Sequence, residues 1–317
     1  MKDIKKKVYD SLFFDVHSYT FKEDDKYTEI NSNNIAGCRS KSFCSIDSSL
    51  LNDYVECVEN GDSNYITYMG DVVPSKVLGL VKSCALDRYR ITTHGKWLLH
   101  SEMMGTQLMN LFGCPCAYNI AIGDDITKKD GEYSIFSVNF LGKGDKLCTL
   151  SKLSISLSRT LESCVKQLED SLDGEMFDEF SEAEKNKVLF DFVYSYLVRR
   201  HVVRDTDFYQ SNSGIIVNRE KKTLRYINFD LEYCYGEGSH RIGVDLEFCA
   251  NRFPLVYTKF SHMVETYRKT LREIKDEGLL YQTYIQEQYL LGLACALREV
   301  EDCMRDVTID NILKREY

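Results

Sequence analysis

The sequence predicts an α+β protein built as two lobes, a strand-rich amino-terminal half over residues 1–142 and a mainly helical carboxy-terminal half over residues 143–317. Three observations predict it. Short apolar runs alternate with polar residues before residue 142, long apolar stripes at helical spacing follow it, and one β-prone insert, Gly214–Asp230, interrupts the helices. At 317 residues the chain can hold two domains or one domain of two lobes, and a cleft between lobes is where such an arrangement binds a ligand.

Taken in order, residues 31–50 are rich in Ser and Asn without periodicity and read as a loop or loosely ordered surface segment. Residues 75–82 read as a strand that ends at Lys82, with Leu78, Leu80 and Lys82 on one face. From Ser101, with Glu102 opening it, Met104, Leu108, Leu111 and Phe112 mark an amphipathic helix stopped by Gly113. Strands follow around Tyr118–Ile122 and Tyr133–Phe140, joined by a polar turn over 123–131. In the second half, Val188 to Leu197, Val256 to Ile274 and Tyr281 to Val300 carry the helical stripes, whose ordinary purpose is core packing. Asp245 and Glu247 read as a solvated loop, and Trp97 as a packing residue.

Composition excludes several classes. Hydrophobic residues make up 44% and charged residues 28%, enough for a sizeable core. Net charge is −9, which argues against a nucleic-acid binder, because phosphate backbones attract the opposite sign. The amino-terminal lysines precede only Leu12-Phe13-Phe14, too short for an export core, and no apolar stretch approaches the ~20 residues of a membrane span, so a cytoplasmic protein is expected. Twelve cysteines without a C-x-x-C pair read as reduced thiols filling a core rather than as disulfides or a zinc site.

The chemistry-bearing stretch is Arg204 to Asp230. Two β-prone runs flank the charged turn Arg219-Glu220-Lys221-Lys222, so Gly214–Asn218 and Thr223–Phe229 should pair as a hairpin. A symmetric turn sets Asn212 opposite Phe229, one residue from Asp230, so an amide oxygen and a carboxylate meet at the open end of the hairpin. Such hard oxygens suit Mg²⁺, which takes its remaining ligands from water and phosphates. Asp207 lies on the loop entering the same site and could accept a hydroxyl proton during phosphoryl transfer. Ordinary turn chemistry would also place Asp and Asn here. Lys82 and Glu102 offer the strand-lysine and helix-glutamate arrangement that holds α/β-phosphates, with Lys76 and Lys96 as competitors for the lysine.

Over roughly residues 70–235 the chain resembles the HipA-like Ser/Thr kinase superfamily, atypical bacterial kinases that include toxins of toxin–antitoxin modules. The resemblance lies in the order of Leu80-Val81-Lys82, Ser101-Glu102-Met103-Met104-Gly105, Tyr133 to Leu141, Asp207-x4-Asn212 and Asn228-Phe229-Asp230. It implies a bilobal protein-kinase-like fold and ATP- and Mg²⁺-dependent transfer of the γ-phosphate to a hydroxyl, with Asp207 catalytic and with Asn212 and Asp230 as metal ligands. It further implies that Lys82 is the ATP lysine, that Glu102 orients it, and that Ser137, Val138, Asn139 and Phe140 approach the adenine. A protein or other hydroxyl-bearing substrate and an antitoxin or regulatory partner come with it.

The chain departs from the family in having Tyr209 where a histidine is frequent and in lacking a clear glycine-rich phosphate loop, Gly70 to Lys76 being a distant counterpart. The H-R-D, D-F-G and A-P-E signatures of conventional protein kinases are also absent. Two alternatives stay open at this point: a pseudokinase or nucleotide-binding interaction module, and a metal-dependent glycosyltransferase using Asp205-Thr206-Asp207 as a D-x-D motif.

Overall fold

A computed structural model describes residues 4–8, 16–18, 39–47, 76–86, 93–123, 133–141, 144–157, 160–231, 234, 241–276 and 284–313. Five strands form a mixed sheet in the order β1-β4-β5-β3-β2: Val16–Ser18 (β1), Arg39–Asp47 (β2), Lys76–Leu86 (β3), Asn119–Gly123 (β4) and Tyr133–Val138 (β5). The β1 and β4 strands run parallel; the other neighbours are antiparallel. Asp145–Thr149 (β6), Ser213–Asn218 (β7) and Thr223–Asn228 (β8) form a separate antiparallel sheet. The helices are Thr93–Leu111 (α1), Leu161–Leu172 (α2), Glu182–Leu197 (α3), Ile242–Arg252 (α4), Pro254–Asp276 (α5) and Tyr284–Leu313 (α6). The chain is thus a mixed helix-and-sheet protein; among the described residues a short helical stretch at 4–8 and α1 precede residue 142, and α2 to α6 follow it.

Helix α1 joins the two halves. Leu99 and Met103 pack on Ala121 and Ile135 of the five-stranded sheet. Met104, Leu108 and Phe112 enter the main core with the carboxy-terminal helices. Gly113 ends the helix with a positive φ of 74°, a left-handed stop that glycine accepts without a Cβ clash. The carbonyls of Leu111 and Phe112, left without partners by the helix end, accept hydrogen bonds from the Tyr267 and Tyr194 hydroxyls at 2.9 and 2.7 Å. Helices α2 and α3 start where sequence chemistry dictates: Thr160 and Ser181 side chains accept the Ser163 and Glu184 amides.

Several expectations need correction. Within 31–50, Arg39–Asp47 is a strand, running from Lys41 opposite Lys82 to Asp47 opposite Lys76. It lies at the edge of the described sheet, where polar side chains are tolerated, and its Ile46 is buried. The β3 strand continues past Lys82 to Leu86, so Lys82 lies inside it. Helix α1 begins at Thr93 rather than Ser101, so Glu102 is in its interior. Threonines and Gly95 weaken the local helix signal there, and the packing of Leu99 on the sheet overrides it. Asp245 is no solvated loop residue. It lies in α4, 1% exposed, accepting the Leu161 amide at 3.0 Å and lying 3.1 Å from His201 Nε2. The segments 31–38, 48–75 and 124–132 lie outside the described residues. So does the side chain of Trp97. Among the described residues, no helix is long and apolar enough to cross a membrane.

Candidate active site

The hairpin forms with the expected register. Ser213 pairs with Asn228 and Asn218 with Thr223, and the Phe229 amide donates to the Asn212 carbonyl at 3.0 Å. Asn212 and Phe229 are therefore opposite each other, with Asp230 next in the chain. The strand β8 is docked at this end: Asn228 Nδ2 donates to the Pro115 carbonyl at 2.8 Å, and the Ala117 amide donates to the Asn228 carbonyl at 2.8 Å. These bonds fix the hairpin mouth against the segment that leads from α1 into β4.

Lys82 reaches this mouth from β3. Its ammonium, 5% exposed, pairs with Glu102 Oε1 and with Asp230 Oδ1, the latter at 2.7 Å. Burial works to lower the pKa of the ammonium, but the two carboxylates outweigh it and the net shift is upward. Lys82 therefore stays charged. Glu102 is braced in turn, because Asn119 Nδ2 contacts its Oε1 at 3.5 Å and donates to Thr106 Oγ1 at 3.2 Å. Residues 148 positions apart in the chain thus share one ion-pair cluster.

Asp207 and Asn212 meet at the other side of the mouth. Asn212 Nδ2 donates to the Asp207 carbonyl at 2.9 Å and to Asp207 Oδ2 at 3.2 Å. This fixes the amide so that Oδ1, which accepts from Ser211 Oγ at 3.1 Å, keeps a second lone pair for another partner. Burial raises the pKa of Asp207, and the nearby negative charges of Asp205 and Asp230 raise it further. The Asn212 hydrogen bond and Arg199 oppose the shift. A carboxylate raised in this way is a better proton acceptor than an ordinary aspartate.

Ser137, Val138, Asn139 and Phe140 form the passage from one sheet to the other. Ser137 lies in β5 opposite Leu80 and Asn119. The Val138 amide donates to the Tyr118 carbonyl at 2.8 Å. Asn139 folds its side chain onto the Leu141 backbone, so its amide group serves the turn. Phe140 stacks on Phe229 with ring centroids 5.6 Å apart, and both cover Ile216 and Ile227 on one face of the second sheet.

Sequence reasoning missed the residue at the centre. Arg199 is fully buried within a π-helical turn, Val198–Val202, that continues α3. Wide turns of this kind are frequent at functional sites. In one dimension Arg199 is one of two adjacent arginines closing an apolar stripe, Leu197-Val198-Arg199-Arg200, which reads as surface charge. Asp205 pairs with it: Arg199 Nε and Nη2 lie 2.7 and 2.6 Å from Asp205 Oδ2, while Asp205 Oδ1 accepts the Asp207 amide at 2.9 Å. Asp205 is 1% exposed and both oxygens are engaged, so the D-x-D reading of Asp205 and Asp207 as joint metal ligands does not hold. Tyr209, in contrast, is 58% exposed.

Among the described residues, no group of three or more His, Cys, Asp or Glu is placed to hold a metal ion. Asn212 Oδ1 and the Asp230 carboxylate are hard oxygens of the chemistry Mg²⁺ accepts, one or two such protein groups sufficing where phosphates and waters complete the shell. None of the eight cysteines with described side chains is in a disulfide, and six of them are buried.

No protein-family model and no curated protein matches the chain. Solved structures similar to the chain include two bacterial proteins. One is the Helicobacter pylori proinflammatory kinase CtkA, at 12% identity and a TM-score of 0.45, covering 79% of this chain and 95% of that one. The other is HipA of Shewanella oneidensis, from a toxin–antitoxin complex of HipA, HipB and operator DNA, at 9% identity and a TM-score of 0.40, covering 94% of this chain and 72% of that one.

Proposed function

We propose that the chain is an ATP- and Mg²⁺-dependent phosphotransferase, a HipA-like Ser/Thr kinase that transfers the γ-phosphate to a hydroxyl. The observation that carries the reading is the Lys82 ammonium held between Glu102 and Asp230 beside a hydrogen-bonded Asp207–Asn212 pair. In this reading the lobes divide near residue 142, Lys82 holds the α/β-phosphates, and Glu102 keeps the lysine aimed at them. The base lies against the Ser137–Phe140 passage, whose Phe140 ring stacks on Phe229.

Asn212 Oδ1 and the Asp230 carboxylate are the groups that would hold Mg²⁺. When bound, the ion supplies positive charge to the phosphate oxygens. Asp207 orients the acceptor hydroxyl and takes its proton as the oxygen–phosphorus bond forms and the bond to the leaving ADP breaks. Its raised pKa suits that step. Positioning and charge supply most of the rate in such transfers, so the fixed geometry matters more than any single strong base. A hydroxyl-bearing protein acceptor, a regulatory partner and a cytoplasmic location belong to the same proposal.

The test is incubation of purified protein with radiolabelled ATP, with and without Mg²⁺, beside a thermal-shift measurement. Ligand at 100 times its dissociation constant should stabilise the protein by about 2.7 kcal/mol. Label should appear on protein with wild type and vanish with Asp207→Asn and Asp230→Asn. Unchanged turnover by Asp230→Asn overturns the metal assignment. Stabilisation without labelled product identifies a nucleotide-binding module instead.

A further inference from the structure

We propose that Arg199 is a positioning residue: one buried guanidinium sets the spacing of Asp207, Asn212 and Asp230, and this rests on the phosphotransfer reading of those three. Each of them is tied to it. Nη1 donates to the Asn212 carbonyl at 2.9 Å and contacts Asn228 Oδ1 at 3.4 Å. Nη2 donates to the Asp230 carbonyl at 3.2 Å. Asp207 is held at one remove, because Asp205 pairs with Arg199 through Oδ2 and accepts the Asp207 amide through Oδ1. The plane of the guanidinium is set by the Phe208 ring, whose centroid lies 4.5 Å away.

Two further facts favour positioning over plain stabilisation. First, Asp230 and Arg204, at the two ends of this arrangement, have φ values of 59° and 53°. Non-glycine residues rarely adopt that left-handed conformation, and it persists only where surrounding contacts over-determine it. The Asp230 carbonyl is one of those contacts. Second, a buried ion pair is a poor device for stability, since apolar residues of similar volume usually serve as well. An apolar side chain could not join four backbone and side-chain acceptors from separate segments. Nor could lysine, whose single ammonium lacks the planar fork of five donors.

The test uses the full chain with Arg199→Lys and, as an isosteric partner change that keeps the arginine, Asp205→Asn. Three measurements apply: hydrogen exchange by mass spectrometry, the Mg²⁺ concentration giving half-maximal stabilisation by ATP, and kcat with KM for ATP. Both variants should lose exchange protection within 203–213 and 227–231 and keep it in the helices α2 and α5. Half-saturating Mg²⁺ should rise about tenfold and kcat fall by about 10–100-fold, the range seen when a group supporting a ligand is removed. KM for ATP at saturating Mg²⁺ should change less than kcat, because Lys82 is linked to Arg199 only through Asp230 and keeps its bond to Glu102.

A purely structural residue would lower the melting temperature and leave half-saturating Mg²⁺ unchanged. Should Arg199→Lys fail to fold, Asp205→Asn gives the same pattern. Wild-type exchange, Mg²⁺ dependence and turnover in a folded variant overturn the role of Arg199 alone. Absence of Mg²⁺-dependent nucleotide stabilisation in the wild type overturns the phosphotransfer reading, and the proposal with it.

Discussion

Replacing Lys82 with methionine tests how the ion-pair cluster is built. The side chain of Glu102 is 1% exposed and that of Asp230 26% exposed. Loss of the ammonium therefore strands one carboxylate away from water and leaves the other partly solvated. An uncompensated buried charge costs about 3–5 kcal/mol, whereas a part-exposed partner contributes far less. Lys82→Met should then destabilise by about 3 kcal/mol, nearly all of it through Glu102. Adding Glu102→Gln should recover much of that loss, because the stranded charge is gone and Asn119 and Thr106 still neighbour the amide. Urea unfolding followed by circular dichroism on the single and double variants closes the cycle, with a coupling of about 1–3 kcal/mol expected for residues in contact. A single variant losing under about 1 kcal/mol, or strictly additive losses, refutes the buried cluster.

Asp207→Asn should abolish transfer yet raise the melting temperature at neutral pH. The folded-state pKa of Asp207 lies above its unfolded value of 3.8, so the stability it contributes is present below pH 3.8 and lost as pH rises through the folded value. The gain of the variant should fade in acid, and a variant less stable than wild type at neutral pH contradicts this. His100 has the opposite sign: burial lowers its pKa from 6.5 to about 4. The unfolded chain takes the proton first, so stability present above pH 6.5 falls away as pH drops to 4, by on the order of 3 kcal/mol. His100→Asn should flatten that slope in urea midpoints measured across the range, and an unchanged slope removes His100 as its source. Gly105→Ala would set a Cβ against Cys234 Sγ and 3.1 Å from Leu231 Cβ. Overpacking there should cost about 1–3 kcal/mol and shift α1, weakening ATP stabilisation as Glu102 moves; a neutral effect on both counts argues against close packing at this contact.

What the sequence showed and what it hid follow from the range of the interactions. The hairpin was readable because two β-prone runs and a charged turn are local, and local pairing fixes register: Asn212 lies opposite Phe229 as the turn requires. The three carboxy-terminal stripes were readable for the same reason. Edge strand β2 was hidden, since its Arg, Ser and Lys residues carry no sustained apolar alternation, although it pairs with β3 along its length. The β6 strand, Asp145–Thr149, buries only Cys148 among its five residues and so carries no alternation to detect. Arg199 and Asp245 were hidden for a different reason. Each looks like a surface charge in one dimension, and only folding supplies the buried partners Asp205 and His201.

The most direct measurement is a crystal structure with a non-hydrolysable ATP analogue and Mn²⁺, located by anomalous scattering. A metal peak is expected at about 2.0–2.2 Å from Asn212 Oδ1 and an Asp230 oxygen, with Lys82 on the α/β-phosphates and the γ-phosphate facing Asp207. A triphosphate bound elsewhere, or a metal that leaves Asn212 and Asp230 untouched, contradicts it.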